Sequence, residues 1–255
     1  MTVQQIWNLI DAAAPFDTQA EFDNSGLLVG NAEDDVNGIL FALDVTDAVI
    51  SEAIALGAQL IVSHHPLMFS PRKQLTDADY EGRLLRRLIR ANLNVIAAHT
   101  NLDQAPGGIN DTLAALCGLI MVTGEGYFRC GFLPEPMTAG AFAEQLRGAL
   151  GDTVRRMGPA DAMIRKVGLC SGSGGEEWKK ALETGCDAFV SGEIRHHLAL
   201  EMADQRIIPF ECGHFATEEA GLFTLAEALQ NALNRLQCNM RVYQSAVSAY
   251  AFPPD

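Results

Sequence analysis

Apolar and polar positions alternate along the chain in two rhythms, one with a helical period and one of short continuous runs. At the start, Val3, Ile6, Trp7 and Ile10 fall three or four residues apart, which gives a helix one apolar face. Thr2 and Gln5 have capping-box spacing before it, and Pro15 stops it. A turn-rich stretch, Glu21-Phe22-Asp23-Asn24-Ser25-Gly26, then leads into Leu27-Leu28-Val29-Gly30. Apolar runs at 38–45, 58–63 and 94–98 read as buried strands, and the segments 47–56 and 80–91 read as helices. Thr46 is placed to cap the first of these helices and Gly57 to close it. Strands separated by helices of this length need crossover connections, so the pattern predicts a largely parallel sheet covered by helices.

The second half continues in the same style. Strands are expected at 127–132, 166–170, 188–191, 207–210 and 240–247, and helices at 139–150, 176–184 and 217–235. The class is therefore α/β. The segment 121–125, with Gly124, follows one helical segment and precedes a new strand, which suggests two lobes, 1–125 and 126–255, with the C-terminal segment able to pack on the first.

Composition narrows the functional classes. Of 255 residues, 48% are hydrophobic and 20% charged, as in ordinary globular proteins. No apolar run approaches the ~20 residues of a bilayer span, and 1–16 lacks a basic leader, so a cytoplasmic protein is expected. Six cysteines without a C-x-x-C pair read as small buried hydrophobes rather than a disulfide framework. A formal charge of −14 repels phosphate backbones and anionic membranes. Duplex nucleic acid and membranes are thus not expected partners. A phosphorylated small molecule would have to be met by a metal or a few local cations.

The six histidines occupy only four places: His64 and His65, His99, His196 and His197, and His214. His64-His65 follows one expected strand and His99 another, and ligands of parallel sheets bind outside the carboxyl ends of strands. Asp103 lies four residues beyond His99. Within a strand His64 and His65 would point to opposite faces, but Pro66 ends the pleat and lets both rings serve one region. His214 and Glu218, four residues apart at a helix start, share a face. Imidazole and carboxylate ligands suit Zn, Mn or Fe(II), and one carboxylate can bridge two ions. Structural histidines at strand ends are the competing reading. His196-His197 is either a further pocket edge or a solvated helix start.

Other catalytic designs fit less well. Ser171-Gly172-Ser173-Gly174-Gly175 stands between a strand and a helix, the context of an anion-binding turn, but it matches neither nucleotide-binding fingerprint. Glu176 and Glu177 would also oppose a phosphate there. Cys212, near His214, is either a thiol beside the site or a small packed residue.

Taken together, six segments resemble the Nif-three-like family of dinuclear metal proteins, also described as GTP cyclohydrolase I type 2 homologues. They are Glu21-Phe22-Asp23-Asn24-Ser25-Gly26-Leu27, Ser63-His64-His65-Pro66-Leu67, Ala98-His99-Thr100-Asn101-Leu102-Asp103, Ser171-Gly172-Ser173-Gly174-Gly175, Ser191-Gly192-Glu193 and Gly213-His214-Phe215-Ala216-Thr217-Glu218. Phe22 stands where the family commonly has Trp, and the chain is too short for the inserted domain of longer members. The resemblance implies two interleaved α/β lobes with largely parallel or mixed sheets covered by helices. It further implies a homohexameric ring and two divalent ions per subunit, Zn, Fe or Mn. Carried over by position, His65 and Asp103 would bind one ion, His64 and His214 the other, and Glu218 would bridge them. His99 would be a neighbour that orients water or substrate, so His99 and Glu218 are the expected catalytic residues. Arg72, Lys73 and Arg195 are candidates for phosphate recognition or plain solvated cations. In the family's proposed reaction, a metal-activated hydroxide attacks C8 of the guanine ring of GTP and formate leaves. A non-catalytic assembly for metal storage, delivery or protein interaction is the other reading.

Overall fold

The computed structural model describes residues 1–151 and 154–247. It divides into two compact units, Met1–Ala105 with Leu222–Asp255, and Pro106–Gly221. The first unit opens with helix α1 (Val3–Ala13), where Thr2 and Gln5 form the capping box. Strands β1 (Gly26–Val29) and β2 (Gly38–Ala42) are followed by α2 (Asp47–Leu56). The Thr46 hydroxyl accepts from the Val49 amide at its start, and left-handed Gly57 closes it, so both caps lie where the sequence puts them. Next come β3 (Leu60–Ser63), α3 (Tyr80–Ala91), β4 (Asn94–Ala97) and the short α4 (Thr100–Gln104). Strands β2, β3 and β4 pair in parallel, and β1 pairs antiparallel with β4. Every residue of β2, β3 and β4 is buried, as expected of a parallel sheet covered on both faces.

The second unit begins with α5 (Ile109–Leu116) and β5 (Ile120–Thr123), then β6 (Arg129–Thr138) and α6 (Ala139–Leu150). Strand β6 runs past the expected end at 132. Its pairing with the later β8 shifts register between Phe132 and Met137, across Pro134 and Pro136, which lack ladder donors. A two-residue strand β7 (Arg155–Arg156) precedes β8 (Met163–Cys170), α7 (Trp178–Glu183), β9 (Ala188–Ser191), α8 (His196–Asp204) and β10 (Ile208–Glu211). The sheet order is β5-β6-β8-β9-β10-β7. Its centre, β8-β9-β10, is parallel and its flanks are antiparallel, so this sheet is mixed. Phe142, Leu146, Val167, Leu169, Val190 and Phe210 fill its core.

Helix α9 (His214–Arg235) contains the passage from the second unit back to the first. Strand β11 (Arg241–Gln244) then joins the first sheet in parallel beside β2, giving the order β1-β4-β3-β2-β11. Among the described residues no helix is long and apolar enough to cross a membrane.

Candidate metal centre

In the first unit the carboxyl ends of β3 and β4 deliver three imidazoles. The amides of His64 and His65 both donate to the Leu43 carbonyl, at 3.2 and 3.0 Å. Two consecutive N–H groups cannot share one acceptor in a β-ladder, so the pleat has ended and the rings lie side by side, centroids 5.0 Å apart. His99, just after β4, has its ring 5.0 Å from His64 and 5.7 Å from His65. One nitrogen from each of the three rings lies within 4.8 Å of the other two. Asp103 sits one helical turn beyond His99, its amide donating to the His99 carbonyl, and its Oδ1 is 3.5 Å from His64 Nε2.

In the second unit β9 ends at Ser191, and Gly192 and Glu193 follow it. The His214 ring at the head of α9 is held by Glu193, with Nδ1 2.8 Å from Glu193 Oε1. His214 Nε2 lies 3.2 Å from Glu218 Oε2, one turn along the helix.

Every one of these four rings has its Nδ1 committed. His64 Nδ1 meets the Ala98 carbonyl, His65 Nδ1 meets Asp44 and His99 Nδ1 meets Asp23, each at 2.8 Å. Carbonyl and carboxylate oxygens only accept, so Nδ1 carries the hydrogen in each ring and Nε2 is the lone-pair nitrogen of the neutral form. His64 Nε2 opposite Asp103, and His214 Nε2 opposite Glu218, are then pairs of acceptors. Only a proton or a metal cation between them makes such a pair favourable. Imidazoles oriented through Nδ1 by carbonyl or carboxylate are the usual surroundings of metal ligands, so the donor set fits a divalent ion.

The sequence reading assigns no orienting role to Asp23, Asp44 or Glu193. Asp44 and Glu193 come shortly after β2 and β9, the sheet edge where ligands gather, which was the available signal. Asp23 comes from the turn before β1 and is held by several donors at once. It accepts from His99 Nδ1, the Thr100 amide and hydroxyl, the Ser25 hydroxyl and the Asn24 amide. Burial by itself would raise the Asp23 carboxyl, but the hydrogen bonds from His99 and Thr100 and the charge of His99 outweigh it. They hold the group well below the usual carboxylate range.

The glycine-rich loop after β8 also acquires a role. Three of its five amides are committed: Ser171 donates to Asn110, Gly172 to Thr217, and Gly174 to the Ser171 carbonyl. Gly172 packs on the carboxylate of Glu218, with a φ of +51°. The remaining candidates lie elsewhere. Arg72 is committed to Asp79 and Glu81, Arg195 is exposed beside Glu176, and His196 and His197 are exposed in the first turn of α8. Cys212 is buried in the core, where burial pushes its thiol up to about 12.

Comparison with known proteins agrees with this picture. Residues 1–250 match the family model for Duf34/NIF3 (NGG1p interacting factor 3). A Clostridium perfringens protein named GTP cyclohydrolase 1 type 2 homolog is 33% identical, covering 92% of this chain and 93% of its own. A Lactococcus lactis protein of the same name is 31% identical over 91% of both chains. Among solved structures, a Staphylococcus aureus protein superposes with a TM-score of 0.93 at 28% identity, covering 100% of this chain and 99% of its own.

Proposed function

The chain belongs to the Duf34/NIF3 family, and from that premise we propose that it is a divalent-metal-dependent hydrolase acting on a small, purine-nucleotide-like substrate. One observation carries the metal part: in each unit an imidazole Nε2 and a carboxylate oxygen face each other as acceptors, 3.5 Å apart for His64 and Asp103 and 3.2 Å for His214 and Glu218. We assign His65 and Asp103 to one ion, His64 and His214 to a second, and Glu218 to both. Bound there, Zn, Fe or Mn would supply Lewis acidity and a water acidic enough to react near neutral pH.

The chain's own groups do the rest. Asp44, Glu193 and the Ala98 carbonyl keep three imidazoles in the Nδ1–H tautomer, with Nε2 as the lone-pair nitrogen. His99, fixed by Asp23, presents an Nε2 that can take up a proton and return it to the leaving group. The substrate class is supported by the name of the relatives, and assembly as a homohexamer belongs to the same proposal.

The test begins with metal content of tag-free protein, with Glu218→Ala beside it. About two Zn, Fe or Mn ions per chain, largely lost in the variant, support the site. Metal-loaded protein is then incubated with GTP and assayed for formate. Formate from the wild type and none from Glu218→Ala supports the hydrolase. Metal without turnover supports the non-catalytic assembly instead, and equal formate from both proteins overturns the site assignment.

A further inference from the structure

The imidazole cluster of the first unit is bordered by an aromatic ring, Phe69, that the core does not use. Phe41, Phe142, Phe189 and Phe210 are fully buried, whereas Phe69 is 52% and Phe22 70% exposed. Phe69 stands edge-on to His99, with ring centroids 5.7 Å apart and planes at 76°. Phe22 immediately precedes Asp23, which holds His99 Nδ1.

The two loops carrying these rings are tied together, because the Asn24 side-chain amide donates to the Met68 carbonyl at 2.7 Å. Farther along, Arg72 clamps the second loop to Asp79 and Glu81. Lys73, also on that loop, is exposed and has no ion-pair partner among the described residues. The Phe69 ring meets His99 by an edge-to-face contact, and about half of its surface stays in water. It gains from a flat, apolar-faced partner, because aromatic rings stack favourably and a phosphate offers no such face.

We propose that Phe69 is a stacking platform that selects a planar heteroaromatic ring and lays it beside His99, with Phe22 as a further contact and Lys73 as the cation for an attached phosphate. The inference rests on the reading of the imidazole cluster as the reaction centre. It adds a specificity-determining residue that is not a metal ligand.

The experiment compares wild type, Phe69→Ala and Phe69→Trp, all as metal-loaded full chains. Metal content and sedimentation are measured for each, and calorimetric affinity is measured for GTP and for ribose 5-phosphate. The expected result is that Phe69→Ala weakens GTP by about five-fold to about a hundred-fold and leaves ribose 5-phosphate and metal content unchanged. Phe69→Trp should retain GTP, which quenches the new indole emission. Equal losses for both ligands, or no loss for GTP with metals in place, overturn the platform while leaving the metal centre standing. A smaller assembly in Phe69→Ala would assign the ring to a subunit contact and also overturn it. A wild-type chain that takes up no metal overturns the functional reading itself, and this inference with it.

Discussion

Alanine at position 172 is the sharpest perturbation of the second unit's ligands, because it adds one methyl group and touches little else. A Cβ there would lie 1.9 Å from Glu218 Oε1, 3.0 Å from its Cδ and 3.1 Å from His214 Nε2. Glu218 would have to retreat by about 1.5 Å to restore ordinary contact, whereas metal–ligand distances tolerate only about 0.2 Å. The residue also adopts a φ of +51°, where a side chain costs about 1–2 kcal/mol. Gly185 separates the two effects, since its φ is +70° and an added Cβ meets nothing within 4 Å. The left-handed backbone alone should cost both alanine variants about 1–2 kcal/mol, roughly 2–8 °C in Tm, and Gly172→Ala bears the displacement of Glu218 in addition. Only Gly172→Ala should also weaken metal binding, by at least about 100-fold, beyond what losing an orienting partner alone costs. Chelator competition monitored by elemental analysis reads the metal, and calorimetry of metal-free protein reads the strain. Gly172→Ala holding metal as tightly as Gly185→Ala would refute the placement of Glu218 as a ligand.

Three further outcomes are expected. Asp44→Ala and Glu193→Ala should each weaken metal binding about 10- to 100-fold by freeing one imidazole, and unchanged chelator competition in both would count against the Nδ1 argument. Asp23 titrates lower in the folded chain than the ordinary ~3.9 of an unfolded one. Its contribution is thus complete above about pH 4 and is lost as pH falls through the folded value, with a slope of up to ~1.36 kcal/mol per pH unit. Urea midpoints of metal-free protein between pH 5 and 2.5 should show that slope, and Asp23→Asn should flatten it. Burial pushes the Cys186 thiol up to about 11 and raises the Cys117 thiol as well, and Cys238 is the one cysteine that is not buried. A maleimide at pH 7 should accordingly label one thiol per native chain, at Cys238, and all six after unfolding.

What the sequence could disclose was set by how local each interaction is. Helix α2 was legible to the residue because Thr46 and Gly57 act within one turn of it. The strands β3, β4 and β9 were legible as continuous apolar runs. Strands β1, β5 and β7 were not, since each has two to four residues and exists through its partner: β1 through β4, β5 through β6, β7 through β10. The start of α9 at His214, three residues before the expected 217, follows from Gly213 and Thr217, whose carbonyl and hydroxyl bond to each other across the first turn. Likewise the imidazoles announced themselves by ending strands, while their holders did not. Asp23 lies 76 residues from His99, and Asp44 and Glu193 each lie 21 residues from the ring they orient.

That difference in range also sorts the imidazoles by how they can be altered. His65, His99 and His214 lean on carboxylates of Asp44, Asp23 and Glu193, which orient the ring and can be removed one at a time. His64 is held by a backbone carbonyl, and the Ala98 residue that supplies it is itself fixed by its amide donating to the Ser63 carbonyl at 2.8 Å. The β3–β4 register therefore orients His64, and no side-chain substitution at its partner can release it. Because the same register sets where His99 leaves β4, the first unit can place two of its imidazoles before any ligand is present. A metal ion arriving at His64 meets a ring already oriented by the fold, so little conformational entropy remains to be lost there on binding.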